Sequence, residues 1–201
     1  MEFHFFAVDP NAPNGQVPLA TLRVGNPEAV SKSVAGEQAM RAGRLDEAIS
    51  LHRESLALKL RDHPEFSREA GISYNGLGEC FLRAGRLDKA DEWLQKALEV
   101  REAMGPAADV AATRDNVGAL REAQGRFGEA REIRLRGAEK KQMLCGNYDC
   151  PTDELFGLDK LNVCSACSSV FYCSKSCQKQ DWKNRHKPLC KAGGATSKTS
   201  N

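Results

Sequence analysis

The chain has 201 residues and carries 29 Lys and Arg against 27 Asp and Glu, which gives a net charge of +2. This length suits one domain, or one domain with a small module, and the near-balanced charge argues against the basic stripe of a dedicated nucleic-acid binder. No stretch approaches the roughly 18 consecutive apolar residues of a membrane span, so we expect no membrane association.

Residues 1–26 carry several prolines without helical or strand periodicity, and we assign them no element. The FHFFAV run near the N-terminus lacks the basic region and the long apolar region of a signal peptide. Without a secretion signal, we expect the protein in the reducing cytosol or nucleus. There, clustered cysteines are more often metal ligands or catalytic groups than structural disulfides.

Three related phrases follow: AGRLDEA at 42–48, AGRLDKA at 84–90 and QGRFGEA at 124–130. Their glycines, Gly43, Gly85 and Gly125, are spaced by 42 and then 40 residues. Apolar residues recur at spacings of three and four on both sides of the middle glycine, as on a helix with one buried face. The sequence therefore predicts a mainly α fold, in which three αα-hairpins over residues 27–144 form a short solenoid.

The middle unit resembles the tetratricopeptide repeat, and the long period resembles the variant found in kinesin light chains. The resemblance rests on six positions: Leu77, Gly78, Phe81, Ala90, Leu94 and Ala97. The outer units depart from the pattern at five packing positions: His52, Ser55, Arg121, Arg134 and Gly137. The resemblance implies a peptide-binding groove lined by the first helix of each pair. Asn75 and Asn116 lie near its asparagines, although each taken singly is expected to be an exposed polar residue.

Seven of the eight cysteines and one histidine form four close pairs in the C-terminal third. The pairs are Cys145-x4-Cys150, Cys164-x2-Cys167, Cys173-x3-Cys177 and His186-x3-Cys190. Structural zinc is held by four thiolate or imidazole ligands that come in such pairs, so eight ligands predict two closed sites and two zinc ions. The remaining cysteine, Cys80, lies in a repeat helix and is expected to be a small buried apolar residue.

Two other uses of clustered cysteines fit less well. A disulfide framework would suit a secreted chain and would leave His186 unexplained. A thioredoxin-type redox motif needs a CxxC beside a βαβ pattern, which the helical body does not provide. Zinc is therefore the expected cofactor, and the spacing alone leaves open which pairs share an ion.

The segment YCSKSCQKQDWKNRHKPLC at 172–190 resembles the second half of a MYND zinc finger. The resemblance implies a cross-brace in which alternate pairs share an ion. One ion would then be bound by Cys145, Cys150, Cys173 and Cys177, and the other by Cys164, Cys167, His186 and Cys190. The resemblance also implies that a proline-containing peptide lies beside the helix of Gln178 and Trp182, which makes these two the candidate peptide-binding residues.

The finger, residues 145–190, departs from the family pattern in two places. Its first ligand pair is spaced by four residues where two is commonest, and one extra residue lies between Trp182 and His186. Residues 127–144 form one continuous helical pattern that ends at Cys145, so we expect the finger to cap the open end of the solenoid. Residues 191–201 are expected to be a flexible tail.

These features predict a protein-interaction adaptor. The alternative is a transcription-associated or methyltransferase-related protein that lacks a SET domain and makes weak nucleic-acid contacts. The sequence has no SET-type NHSC segment and no GxSxG, P-loop or GxGxxG motif. We therefore assign no catalytic residue and expect no enzymatic activity. A RING finger is also disfavoured, because its ligand order does not place histidine seventh among the eight ligands.

Overall fold

The computed structural model describes residues 26–152 and 154–190. The N-terminal segment 1–26, apart from Asn26, and the expected tail 191–201 lie outside this range. Six helices form three pairs: α1 (Pro27–Arg41) with α2 (Leu45–Asp62), α3 (Arg68–Arg83) with α4 (Leu87–Met104), and α5 (Ala107–Ala123) with α6 (Phe127–Leu135). Consecutive pairs stack on one another, which confirms the solenoid of three hairpins. Among the described residues no helix has the length and apolar character needed to cross a membrane.

The ends of the repeat helices follow from local sequence. The Asn26 side chain caps α1 by accepting hydrogen bonds from two backbone N–H groups, and Pro27 occupies the first helical position. In each hairpin turn the glycine adopts a left-handed backbone, with φ of +75° at Gly43, +70° at Gly85 and +76° at Gly125. Glycine is the residue that adopts this conformation without strain, so the predicted turns are confirmed.

A second glycine in each unit, seven residues before the turn glycine, lies where the two helices of a pair cross. A Cβ atom there would lie 2.9 Å from the His52 side chain at Gly36, 2.5 Å from Leu94 at Gly78, and 2.7 Å from Arg134 at Gly118. The missing side chain therefore permits the close approach of the helices. Around the middle crossing lies an apolar core that includes Leu77, Phe81, Ala90 and the fully buried Cys80, as expected.

The polar residues that depart from the repeat pattern are also buried. His52 is 3% exposed, Ser55 is fully buried and Arg134 is 5% exposed. The Ser55 hydroxyl donates a 2.7 Å hydrogen bond to the backbone carbonyl of Ala29. The outer units therefore bury polar side chains where the middle unit buries apolar ones, and neither ring nitrogen of His52 has a hydrogen-bond partner among the described residues.

The expectation that Asn75 and Asn116 are exposed is wrong. Both are buried, and the Asn116 side-chain amide donates a 3.2 Å hydrogen bond to Oδ1 of Asn75. The two asparagines lie on α3 and α5, which pack against each other as the first helices of consecutive pairs. Each amide thus satisfies part of the hydrogen-bonding requirement of the other.

The prediction of one continuous helix over 127–144 is also wrong, because α6 ends at Leu135. A turn follows, in which the Gln142 backbone N–H donates a 2.8 Å hydrogen bond to the carbonyl of Gly137, and Lys141 has a φ of 54°. A side chain at position 137 would collide with the Gln142 carbonyl, 2.2 Å from the Cβ position. A tight turn therefore separates α6 from the finger.

The finger contains little regular structure. Met143 forms an isolated antiparallel bridge with Phe156, and a 3₁₀ turn follows at Leu158–Lys160. The strands β1 (Asn162–Val163) and β2 (Phe171–Tyr172) pair as an antiparallel hairpin. Next come α7 (Lys175–Asp181), a π-helical turn (Trp182–His186) and a final helical segment, 187–190. The finger's core consists of cysteines with Val170 and Tyr172, so it depends on its metal ligands for packing.

Candidate metal centre

The eight predicted ligands come together in two groups of four. Cys145, Cys150, Cys173 and Cys177 form the first group, and Cys164, Cys167, His186 and Cys190 form the second. Within each group the ligand atoms lie within 4.8 Å of one another. Alternate pairs thus share a site, which is the arrangement that the cross-brace implies.

The first group has the dimensions of a zinc tetrahedron. Zinc–sulfur bonds of about 2.3 Å place two sulfurs roughly 3.8 Å apart along a tetrahedron edge. The Sγ atoms of Cys150, Cys173 and Cys177 are separated by 3.6 to 3.8 Å. These distances are far longer than a disulfide bond of about 2.05 Å, and all the cysteines are free. The group therefore fits a thiolate-bound ion, not a disulfide.

The second group has matching dimensions. The Sγ atoms of Cys164 and Cys190 are 3.9 Å apart, and the Sγ atom of Cys167 lies 3.4 Å from Nε2 of His186. The shorter zinc–nitrogen bond of about 2.0–2.1 Å makes a sulfur–nitrogen edge shorter than a sulfur–sulfur edge. Three sulfurs and one imidazole thus surround a point where a zinc ion fits, and four protein ligands leave no open coordination position.

Short turns present the ligands of the first group. Ser174 caps α7 by accepting a 3.2 Å hydrogen bond from the backbone N–H of Cys177, which directs Cys173 and Cys177 toward the same point. On the opposite side, the Cys150 backbone N–H donates a 3.0 Å hydrogen bond to the carbonyl of Asn147. The unusual four-residue spacing of the first pair is therefore folded into a turn.

The β1–β2 hairpin and the π-helical turn present the second group. The Cys164 backbone N–H donates a 2.9 Å hydrogen bond to the carbonyl of Val170, and Ser168 adopts a φ of 57° in the tight turn between them. At the other end, the Lys187 backbone N–H donates to the carbonyl of Trp182, five residues earlier. The extra residue between Trp182 and His186 is thus absorbed as one π-helical turn, a common result of a single-residue insertion.

The protein environment moves the thiol pKa values in both directions. Burial raises the pKa of Cys167, but hydrogen bonds from His186 and Ser169 outweigh it and lower the pKa to about 6. Burial raises the pKa of Cys190 to about 12, with the nearby thiols adding to the effect. A bound cation stabilises thiolates, so it would overcome this mutual repulsion.

A buried carboxylate of the repeat array, which sequence reasoning missed, reaches the second group. Glu122 is 1% exposed, and its Oε2 lies 3.3 Å from Nδ1 of His186 and 3.3 Å from Nη1 of Arg185. Its Oε1 accepts a hydrogen bond from Arg134 of α6. Burial would raise the pKa of Glu122, but the charges of both arginines and the contact with His186 lower it to about 2.

Arg134 joins the repeat array to the finger. Its Nε donates a 2.7 Å hydrogen bond to Asp115 of α5, and its Nη1 donates a 2.8 Å hydrogen bond to the backbone carbonyl of Ser169 in the finger. Asp115 and Glu122 raise the pKa of Arg134 despite the opposing effect of burial. The one signal in the sequence was the appearance of Arg134 at a packing position.

The finger packs against the last repeat, as expected, and also reaches the middle one. Arg131 of α6 donates a 2.6 Å hydrogen bond to the carbonyl of Ser168. The Tyr148 ring lies between two guanidinium groups, 4.9 Å from that of Arg83 in α3 and 4.9 Å from that of Arg185. The finger therefore covers part of the solenoid's side as well as its end.

The candidate peptide-binding residues lie one helical turn apart at the C-terminal end of α7. Gln178 is half-buried, and its side chain makes no hydrogen bond to the described residues. Trp182 is half-buried, packs against the finger core and meets the His186 ring edge-on at a centroid distance of 5.9 Å. Trp182 thus contributes to packing and also retains an exposed part.

Comparisons with known proteins agree with this architecture. The tetratricopeptide repeat model matches residues 29–103 and 69–134, and the MYND finger model matches residues 144–190. The protein named Histone-lysine N-methyltransferase ASHR1, from Arabidopsis thaliana, is 50% identical over 40 residues, which are 20% of this chain and 8% of that protein. The chain thus covers a small part of that relative's length. No solved structure gives a significant match.

Proposed function

Because this chain belongs to the tetratricopeptide repeat family and carries a zinc-binding MYND finger, we propose that it is an adaptor in which two metal ions shape a peptide-binding surface. The eight residues of the two groups are the proposed ligands. The observation that carries the proposal is the convergence of these side chains into two sets of four. Closed sets of four protein ligands support a structural role for the ions.

The proposed peptide surface is the exposed side of α7 and the π-helical turn. Gln178 and Trp182 are neighbours there because residues four apart share one helix face. The free amide of Gln178 can exchange hydrogen bonds with a peptide backbone, and the exposed part of the Trp182 ring offers an apolar contact of the kind that anchors interfaces. A proline-containing segment is the proposed partner.

The test measures binding of the full-length protein to an array of proline-containing peptides. Trp182→Ala and Gln178→Ala should weaken binding to the same peptides, whereas Lys179→Ala, at an exposed neighbouring position on the same helix, should not. Native mass spectrometry must show two zinc ions in every variant, so that lost binding is not lost folding. Unchanged binding of both variants would refute this surface.

The repeat groove is a second candidate surface, favoured by two buried cations. A cavity of about 640 Å³ runs along α1 and α3, and its lining includes Arg101 together with the carboxylates Glu37, Glu79 and Asp149. Arg101 is 6% exposed, and Lys59, which contacts the lining residue Ser33, is 7% exposed. Neither makes an ion pair with the described residues: Lys59 donates to the hydroxyls of Ser33 and Ser73, and Arg101 donates to Thr113 and to a backbone carbonyl.

A carboxylate in this groove would supply the missing counter-charge. Buried cations without an anionic partner carry an uncompensated desolvation cost, and burial lowers the pKa of both Lys59 and Arg101. We therefore propose that Arg101 pairs with a single carboxylate of a bound peptide, because the lining carboxylates Glu37, Glu79 and Asp149 would repel a long acidic run. A labelled peptide with one central glutamate should bind the full chain and lose about tenfold or more in affinity in Arg101→Met. The exposed Lys89→Met serves as control, and equal binding of the same peptide with glutamine in place of the glutamate would refute the pairing.

We further propose that the protein is not an enzyme and that it resides in the cytosol or nucleus, where thiolate ligands stay reduced. The competing candidate is a methyltransferase-related protein, favoured by the 40-residue similarity to a protein of that name. Incubation of the zinc-loaded chain with labelled S-adenosylmethionine and histones separates the two. Transfer of the label to histone would refute the adaptor proposal in its non-enzymatic form.

A further inference from the structure

We propose that Glu122 of the repeat array is a positioning residue for the zinc ligand His186, so that the second metal site is completed by a carboxylate from outside the finger. The repeats would then be part of the metal centre's support as well as a mount for the finger. The inference concerns the zinc site and does not depend on which partner the adaptor binds.

The geometry around His186 supports this role. The ring is fully buried, with Nε2 facing Cys167 Sγ at 3.4 Å and Nδ1 facing Glu122 Oε2 at 3.3 Å. The Glu122 oxygen approaches obliquely, since no aligned hydrogen bond reaches Nδ1 from the described residues. A carboxylate on this side favours a proton on Nδ1 and leaves Nε2 free to bind the ion. Metal-binding histidines in other proteins are oriented in the same way.

The Glu122 carboxylate is itself held in place. Arg134 binds Oε1, while Arg185 lies 3.3 Å from Oε2. Asp181 fixes Arg185 through two hydrogen bonds of 2.9 and 2.8 Å. Every member of this network is buried or mostly buried, so the carboxylate has little freedom to turn away from the imidazole.

A comparison of the three repeats separates this role from a general structural one. Glu122 lies three residues before the turn glycine Gly125, and the corresponding residues of the first two repeats are Met40 and Leu82. The hairpin therefore forms with an apolar residue at this position. The carboxylate occurs in the repeat whose Glu122 contacts the second group of ligands. No hydrogen bond or ion pair within the described residues joins Glu122 to the first group.

The consequence is a selective coupling between the two parts of the chain. Removing the carboxylate should weaken the second zinc site and spare the first. Loss of zinc from the second site should in turn weaken the docking of the finger on α5, because coupling between two equilibria is reciprocal.

The test compares Glu122→Gln with Asp115→Asn in the full-length, zinc-loaded protein. Both substitutions remove a carboxylate that pairs with Arg134, but Glu122 is the one beside His186. Zinc affinities are measured by stepwise competition with a chromophoric chelator. Cobalt substitution identifies the site, because three sulfurs with one nitrogen absorb differently from four sulfurs. We expect Glu122→Gln to lower the affinity of the second site about 10–100-fold and that of the first site about threefold at most.

Asp115→Asn should change the affinities of both sites to a similar, small extent. Unaltered affinity of the second site in Glu122→Gln, or equal losses at both sites, would overturn the proposal. If Glu122→Gln does not fold, Glu122→Asp is measured instead and judged by the same criterion. The proton NMR signal of the His186 Nδ1–H group gives an independent readout: its exchange with water should quicken in the Glu122 variant and stay slow in the Asp115 variant.

Discussion

Replacing Arg134 by leucine tests whether the last repeat is built as a repeat or as a docking site. Leucine is the residue at the same position of the middle repeat, Leu94, so the repeat pattern alone predicts stabilisation. The structure predicts the opposite. The substitution would leave Asp115 and Glu122, 8% and 1% exposed, without their shared cation, and would remove the hydrogen bond to the Ser169 carbonyl.

Removing one partner from a buried ion pair costs about 3–5 kcal/mol. Glu122 keeps Arg185 and His186 as partners, so we expect a value near the lower end, about 3 kcal/mol. With a slope of about 2 kcal/mol per molar urea, the unfolding midpoint should fall by roughly 1.5 M. The assay is urea unfolding with excess zinc, followed by far-UV circular dichroism.

His52→Leu is the matched control for this experiment, because His52 occupies the same position of the first repeat without a carboxylate partner. We expect that control to be neutral or stabilising at neutral pH. If Arg134→Leu were as stable as the wild-type protein, the buried charges would contribute nothing net, and the reasoning would fail.

Three further predictions follow from the packing and the metal sites. Burial, with the nearby charge of Lys59, lowers the pKa of His52 to about 4. Between about pH 6.5 and 4 the unfolded state therefore binds a proton that the folded state excludes. The free energy of unfolding should fall over this range by up to about 3 kcal/mol relative to His52→Leu, as measured by urea titration at each pH. Gly78→Ala should lower the free energy of unfolding by about 1–3 kcal/mol, because its Cβ would be forced against Leu94. Gly128→Ala should be neutral or slightly stabilising, because no atom lies within 4 Å of a Cβ added there. Thermal unfolding distinguishes the two variants. Chelation of zinc should abolish the near-UV circular dichroism of the finger and spare most far-UV helical signal, because zinc binding contributes about 10–16 kcal/mol in comparable modules; an unchanged near-UV spectrum would contradict it.

The repeats and the ligand pairs were readable from the sequence because both are periodic or local features. Gly43, Gly85 and Gly125 mark turns by their own backbone preference, and neighbours in the chain supply the helix faces on either side. The spacing of the cysteines identifies the ligand pairs, whereas the prediction that alternate pairs share an ion came from the family resemblance. Such signals do not depend on which distant residue lies opposite.

The contacts between repeats and finger were not readable, because they join residues far apart in the chain. Glu122 and His186 are separated by 64 positions, and the local sequence around either residue does not indicate contact with the other. The predicted exposure of Asn75 and Asn116 was wrong for the same reason. Each alone resembles an exposed helical residue, but the two side chains form a hydrogen bond with each other in the interior. The end of α6 at Leu135 also depended on the turn at Gly137, which the helical pattern of the surrounding residues masked.

The extra residue between Trp182 and His186 gives a sharp test of how the finger tolerates changes in length. A π-helical turn absorbs an inserted residue locally and leaves the flanking helix in register. Deleting the exposed Lys183 should therefore convert the turn into ordinary α-helix and keep both zinc ions. Lys187, which is also exposed, lies between the ligands His186 and Cys190. Deleting it should rotate one ligand away from the other by about 100° and release the second ion. Native mass spectrometry counts the ions directly. If the Lys183 deletion released zinc as readily as the Lys187 deletion, the π-helical turn would be a necessary part of the site, and the account of it as an absorbed insertion would be wrong.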